Sequence, residues 1–370
     1  MSVAFTDLRG DIELLRRFLT QRAYTARLIE FARGEGIFDA VRAAKRFTAS
    51  EFLDMLRVEA GYKTVDGRGR MAGVLLDFLE ECGMAVREVN NAGTAVYSFK
   101  DAPPPAPLSA DEERRMEEVF GAKIEFFDRC MAHAGVFLRG GGHLYTFDAD
   151  AALSWDRFLG NFEFRVARDF LINAMGASGT PSPRILDLCC GTGHGLETIL
   201  RQWPDARVTA LDFTETMRHV ALARVGRHNG AIRWTGSAQW NGFGSPLPFA
   251  GRGFDMVFFS CGDPYIPEHI RAGVYGEIKR VLRPGGLLGS VAWAYPDRDK
   301  ARVAGHWQRL GVFIHDFAES VCAGWRGFHG ADETIKMAEA LGFERCGLFM
   351  NNYYMLDTAV WLFRAPETKR

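Results

Sequence analysis

Two short runs of carboxylates and glycines carry most of the chemistry this sequence could perform. In the first, the strand-like Arg184-Ile185-Leu186-Asp187-Leu188 leads into Cys189-Cys190-Gly191-Thr192-Gly193-His194-Gly195 and then into Leu196-Glu197-Thr198-Ile199-Leu200, a helix start. Glycines at such a junction let the backbone approach a ligand where a side chain would block it. In the second, Arg207-Val208-Thr209-Ala210-Leu211 ends in Asp212. That carboxylate falls about 20 residues after the glycines, where it can accept hydrogen bonds from both hydroxyls of a ribose. A Gly-rich turn alone is weak evidence, because several classes of nucleotide-binding protein use one.

Positioning these residues requires a parallel sheet. From Pro183 onward the chain alternates strand and helix: a helix from Thr214-Glu215-Thr216-Met217 to about Arg227, the strand Phe254–Ser260, a helix Ala272–Leu282 closed by Arg283-Pro284-Gly285-Gly286, and the strand Leu287–Trp293. That order predicts an α/β fold with helices on both faces of a mostly parallel sheet. The stretch from Thr334 to Arg364 reads as helix, strand and strand, an antiparallel hairpin at the sheet edge.

The N-terminal part is helical in period. Leu14, Leu15, Phe18 and Leu19 form one apolar stripe, and Ala26, Leu28, Ile29 and Phe31 another. Thr48-Ala49-Ser50-Glu51 reads as a helix start, and Met71–Cys82 as a helix stopped by Gly83. Residues 85–89, 90–93 and 94–99 then read as strand, turn and strand. Pro103-Pro104-Pro105-Ala106-Pro107 is a stiff spacer. A long amphipathic helix is expected over Ser109–Leu138, and another over Ala151–Met175.

Helices followed by a small hairpin raise the question of DNA binding. Charge decides against it. The helix in the reading position, Met71–Cys82, is apolar and acidic, and the basic Lys63, Arg68 and Arg70 before it read as a solvated loop. The whole chain has 45 basic and 46 acidic residues, so no global field favours nucleic acid or an anionic membrane. No stretch approaches 18 uncharged apolar residues, and the start of the chain is not a signal peptide. Seven cysteines without CxxC spacing fit neither a disulfide framework nor a zinc site; the expectation is a reduced, cytoplasmic protein without a metal. The 29 phenylalanines exceed what a core needs, so some are expected to line a pocket.

Taken together, ILDLCCGTGHG (185–195), VTALDFTETM (208–217), FDMVFF (254–259) and VLRPGGLLGSVAW (281–293) resemble the class I S-adenosylmethionine-dependent methyltransferases, in that family's order and spacing. The resemblance implies a Rossmann-like domain with a seven-stranded sheet, over residues 181–370. It implies S-adenosylmethionine as cofactor. Asp187, Cys189, Gly191 and Gly193 would surround its methionine part, Asp212 would bind its ribose, Met217 would cover the adenine, and Phe213 would also line the cofactor site. Ser237 and Ala238 would lie by the adenine amino group, and Ser260 at the end of the fourth strand. Cys189 replaces the first glycine of the usual turn, and Ser237 stands where an Asp is common, with Gln239 as the other candidate for that contact.

ARLIEFARGEGIFDAV (26–41), TASEF (48–52) and VLLDFLEECGMAVREVNNAGTAVYSF (74–99) resemble the winged-helix dimerisation domain of small-molecule O-methyltransferases. This implies a domain over 1–102 that pairs subunits and caps the substrate, with 103–180 as linker and pocket-walling helices. Those O-methyltransferases place a His after strand four as proton acceptor. Here the loop is Cys261-Gly262-Asp263-Pro264-Tyr265-Ile266-Pro267. Asp263 and Tyr265 are the nearest candidates, with His269 next, and His143 or Tyr145 further off. Gly262-Asp263-Pro264-Tyr265 is also similar to the Asp-Pro-Pro-Tyr loop of amino-group methyltransferases, but one proline is missing and Asp-Pro serves turn geometry alone.

The expected function is methyl transfer to oxygen or carbon of a small aromatic or polycyclic acceptor. The alternatives are transfer to an amine or nucleobase, and a non-catalytic regulator that binds the cofactor.

Overall fold

The computed structural model describes residues 24–101, 108–297, 307–346 and 358–367. The expected stripe Leu14–Leu19 and the proline spacer lie outside the described residues. The chain forms two compact units, Met1–Thr146 with Arg298–Gly327, and Phe147–Asp297 with Phe328–Arg370.

The first unit contains α1 (Tyr24–Gly34), α2 (Ile37–Ala44), β1 (Arg46–Phe47), α3 (Ala49–Glu59), α4 (Asp66–Glu81), β2 (Ala85–Val89), β3 (Ala95–Phe99) and α5 (Ala110–Leu138). Local signals explain most of its boundaries. Thr48 and Glu51 form a capping box at the start of α3, and Ser109 and Glu112 do the same for α5. Gly83 stops α4 at φ 72°, as expected. Asn90 Oδ1 accepts the N–H groups of Ala92 and Thr94 and folds the turn between β2 and β3. The three strands pair antiparallel in the order β1-β3-β2.

α4 begins at Asp66, five residues before the expected start, and this changes the reading of the basic residues ahead of Met71. Lys63 is exposed as expected, but Arg68 and Arg70 are half-buried and paired. Arg68 donates to the carbonyls of Phe137 and Gly141, and Arg70 pairs with the buried Asp316 at 2.8 Å.

The second unit contains α6 (Ala149–Leu159), α7 (Phe162–Gly176), β4 (Arg184–Leu188), α8 (His194–Gln202), β5 (Arg207–Leu211), α9 (Glu215–Val225), β6 (Ile232–Thr235), β7 (Phe254–Ser260), α10 (Glu268–Val281) and β8 (Leu282–Trp293). The chain then adds α11 (Trp307–Glu319) to the first unit, and α12 (Ala331–Ala340), β9 (Glu344–Arg345) and β10 (Thr358–Arg364) to the second. The single helix expected over 151–175 is two: Gly160 ends α6, and the Asn161 side chain caps α7 by accepting the N–H of Glu163. Segment 103–180 is thus shared, with α5 in the first unit and α6 and α7 in the second.

The seven strands of the second unit run in the order β6-β5-β4-β7-β8-β10-β9. β6, β5, β4, β7 and β8 are parallel, whereas β10 is antiparallel to β8 and to β9. Helices cover both faces, so the strands are apolar at nearly every position. Leu186, Leu188, Val257 and Phe259 bury one face with Val274, Tyr275 and Ile278 of α10. Ile185, Val208, Met256 and Phe258 bury the other with Leu171 and Met175 of α7 and Leu196 and Ile199 of α8. Each such side chain contributes about 1.5–3 kcal/mol. The period of two along β4 puts Asp187 on the α7–α8 face, beside Ile185.

Candidate active site

The Gly-rich segment turns at the carboxyl end of β4, where ligands bind in open parallel sheets. Three residues there have left-handed backbone: Cys189 at φ 59°, Gly191 at 50° and Gly193 at 85°. Glycine adopts this freely; for cysteine it is strain that the turn imposes. A Cβ on Gly193 would lie 2.9 Å from the Cβ of Ala221, and one on Gly195 2.9 Å from Asp187 Oδ2. The glycines therefore seat α9 and α8 as well as leaving backbone open to a ligand.

Asp212 follows β5. Its Oδ2 accepts the N–H of Gly191 at 2.8 Å, and its Oδ1 accepts the N–H of Thr214 at 2.9 Å and the Thr214 hydroxyl. Burial raises its pKa above the usual carboxylate value, and those hydrogen bonds oppose the rise. Asp187 is more extreme. Burial and then the Asp212 charge hold its pKa well above the ordinary value, and Oδ2 is buried without a hydrogen-bond partner.

Sequence reasoning missed Arg168 on α7, which lies on the same side of the sheet as Asp187. Its NH1 donates to the Leu159 carbonyl at 2.8 Å, but its Nε is buried without a partner. Burial lowers its pKa to about 10, with Asp187 and Cys261 among the groups near enough to raise it. Arg168 Nε and Asp187 Oδ2, each buried without a hydrogen-bond partner, suit a zwitterion that presents a carboxylate and an ammonium. An amino-acid end is such a group.

A second missed group holds the turn. Asp156 of α6 pairs with His194 Nε2 at 3.1 Å and with Arg224 NH2 at 2.6 Å. Arg224 Nε also donates to the Thr192 carbonyl. Burial works against the Asp156 charge, but hydrogen bonds from His194, Thr192 and Arg224 outweigh it and hold the carboxyl below its usual range. His194, a helix-start residue by sequence, is thus one arm of a clamp on the Gly-rich turn.

The other predicted residues separate. Phe213 lies edge-to-face with Phe147 at 5.4 Å and Trp240 at 6.0 Å, and Met217 is buried on α9. Ser237 and Ala238 are exposed in the turn after β6. Gln239 Oε1 accepts the N–H of Gly236, so its side chain serves that turn. Ser260 ends β7 with its hydroxyl 3.5 Å from the Cys261 sulfur. Burial raises the pKa of Cys189 and Cys190 well above that of a free thiol, which argues against either as a nucleophile.

Among the candidate bases, Asp263 is 3% exposed and held by Arg271 through both oxygens, at 3.0 and 2.8 Å, and by the Tyr275 hydroxyl. Tyr265 is half-buried, 6.5 Å from the Phe147 ring. His143 is exposed in the first unit, with Nδ1 3.3 Å from the Val321 carbonyl, and Tyr145 there stacks on Phe126 at 5.1 Å.

The Gly-rich turn at the carboxyl end of β4 and the carboxylate after β5 lie in a stretch that is similar to methyltransferases. Residues 185–286 match the family described as "Methyltransferase domain". A demethylmenaquinone methyltransferase of Listeria welshimeri is 32% identical over 117 residues, covering 30% of this chain and 46% of the relative. A trans-aconitate 2-methyltransferase of Rhodopseudomonas palustris is 31% identical over 105 residues, covering 28% and 36%. The chain spans about half the length, or less, of these curated relatives. Among solved structures, the CurJ carbon methyltransferase superposes with a TM-score of 0.64 at 13% identity, covering 98% of both chains. An O-methyltransferase family protein from Burkholderia thailandensis gives 0.54 at 16% identity, covering 93% and 95%. At such identities the likeness is one of fold.

Proposed function

We propose that this chain transfers a methyl group from S-adenosylmethionine to oxygen or carbon of a small aromatic or polycyclic acceptor. The observation that carries the reading is the partnerless Oδ2 of Asp187, buried beside the Gly-rich turn. Asp187 and Arg168 would take the ammonium and carboxylate of the cofactor's methionine part, and Asp212 the ribose. Cys189, Gly191 and Gly193 shape the turn, and Phe213 and Met217 offer apolar surface to the adenine, with Ser237, Ala238 and Ser260 at the rim. The cofactor supplies an activated sulfonium methyl group; the chain's contribution is orientation and exclusion of water.

The aromatic group Phe147, Phe213 and Tyr265 supports a flat acceptor, because rings presented edge and face favour such partners. Asp263 is held as an ion-pair partner, which disfavours it as the base and weakens the likeness to the amino-group enzymes. Tyr265, in the loop after β7, is then the candidate to relay a proton. The resemblance of residues 26–99 extends the proposal to a winged-helix first unit that pairs two copies of the chain, which sedimentation velocity would test.

The deciding experiment is thermal unfolding with S-adenosylmethionine, S-adenosylhomocysteine or NADH, followed by transfer of labelled methyl to a panel of phenols, enolisable carbonyls and amines. Stabilisation by the two sulfur compounds and label on phenols or carbonyls is expected. Stabilisation by NADH alone would overturn the cofactor assignment. Label on amines alone would overturn the acceptor class, and binding without turnover on every acceptor would favour a regulator.

A further inference from the structure

At the opposite, amino end of the parallel strands the second unit has an open cavity of about 600 Å³. The methyl-transfer reading assigns it no role. Arg184 is the first residue of β4 and Arg207 the first of β5, and the parallel register sets them side by side. Adjacent strands are only about 4.8 Å apart, and like charges so placed destabilise a sheet. Arg233 on β6 pairs in register with Thr209, two residues along from Arg207, so the period of two puts all three arginines on the same face.

The charge they bring is little compensated. Asp255 accepts the N–H of Arg184 and lies 3.5 Å from its Nε, but it is also paired with Arg283 at 2.9 Å. Arg207 and Arg233 have no acidic partner among the described residues. The floor beside them is aromatic: Phe249 and Phe254 meet edge-to-face at 5.2 Å, and both line the cavity. A register shift between Phe254 and Met256 accompanies this placement of Phe254 at the start of β7.

We propose that this cavity is a second ligand site, for a phosphorylated small molecule with a flat ring, of the nucleoside diphosphate class. Guanidiniums bind phosphate oxygens in pairs. An anion bound between Arg184 and Arg207 would remove the repulsion that the register imposes. The volume is that of a small-molecule pocket, and the Phe249–Phe254 floor gives the ring an apolar surface.

The test is calorimetric titration of the whole chain with ADP, pyrophosphate and adenosine, with saturating S-adenosylhomocysteine present throughout to occupy the cofactor site. The variants are Arg207→Gln with Arg233→Gln, and Phe249→Ala. Expected results are binding of ADP that weakens with added salt, at least tenfold weaker binding of ADP by the double arginine variant, and severalfold weaker by Phe249→Ala. Thermal stabilisation by S-adenosylhomocysteine should be unchanged in both, showing that they fold. No ADP binding at millimolar concentration, or equal binding by the arginine variant, would overturn the site. Pyrophosphate binding as tightly as ADP, or adenosine as tightly as ADP, would overturn the ligand class.

Discussion

Asp212 Oδ2 accepts the backbone N–H of Gly191 at 2.8 Å, so the carboxylate that ends β5 is tied to the turn that ends β4. One side chain thereby holds the turn and, in the proposed function, also faces a ribose. Asp212→Asn keeps an acceptor for Gly191 but presents an amide group and no charge. A ligand at about a hundred times its Kd stabilises by about 2.7 kcal/mol. The expected outcome is that S-adenosylhomocysteine gives the wild type such a shift, Asp212→Asn a reduced one and Asp212→Ala none. Equal shifts in all three would remove Asp212 from the cofactor site.

Asp187 is expected to oppose stability while serving binding. Its folded pKa is raised by burial and by the Asp212 charge, so the native state holds a proton that the unfolded chain releases near pH 4. Stability from this group is therefore present below about pH 4 and declines as pH rises toward the folded pKa. Asp187→Asn removes that loss without changing shape. It should stabilise the ligand-free protein at pH 7 by about 1–3 kcal/mol, with no gain below pH 4. Affinity for S-adenosylhomocysteine should fall about tenfold or more, ~1.4 kcal/mol. A ligand-free Tm that drops at pH 7 would show the carboxylate to be structurally required.

The sheet and its glycines were legible in the sequence because a buried parallel strand leaves a continuous apolar run and the turn after it needs backbone freedom. The clamp of Asp156, His194 and Arg224 was not, because three polar residues on three helices have no mutual spacing until the helices pack. Arg168 was hidden for a similar reason: on a helical wheel it is one more charge, and only α7 lying on the Asp187 face makes it part of a site. The break at Gly160-Asn161 was written in the chain as a C-cap followed by an N-cap, but the apolar period continues across it. Arg68 and Arg70 were misread because their partners, Gly141 and Asp316, are distant in sequence.

Cys189 occupies a glycine position at φ 59°, a conformation that costs a side-chain-bearing residue about 1–2 kcal/mol. Cys189→Gly relieves that strain but adds freedom to the unfolded chain, which costs about 0.5–1 kcal/mol. The expected order of stability in denaturant titration is Gly slightly above Cys, and Val below both by more than about 1 kcal/mol. A Val variant as stable as the wild type would mean the turn adopts another conformation.

Asp263 is a candidate base by its place in the sequence, but its surroundings make it a strut. Arg271 and Asp263 are 2% and 3% exposed, and Arg271 also donates to the Thr334 hydroxyl, tying the loop after β7 to α10 and α12. Breaking a buried pair by removing one charge costs about 3–5 kcal/mol, because the other charge is left unpaired. Asp263→Asn should therefore lower the denaturant midpoint strongly. Asp263→Leu combined with Arg271→Leu should recover much of the loss. In methyl transfer measured well below the variant's Tm, kcat should fall less than tenfold and its pH profile should stay in place. Tyr265→Phe, with no buried charge to strand, should keep stability and lower kcat. The reverse pattern, a stable Asp263→Asn with a hundredfold loss of kcat and a displaced acid limb, would make Asp263 the base and Arg271 the group that tunes it.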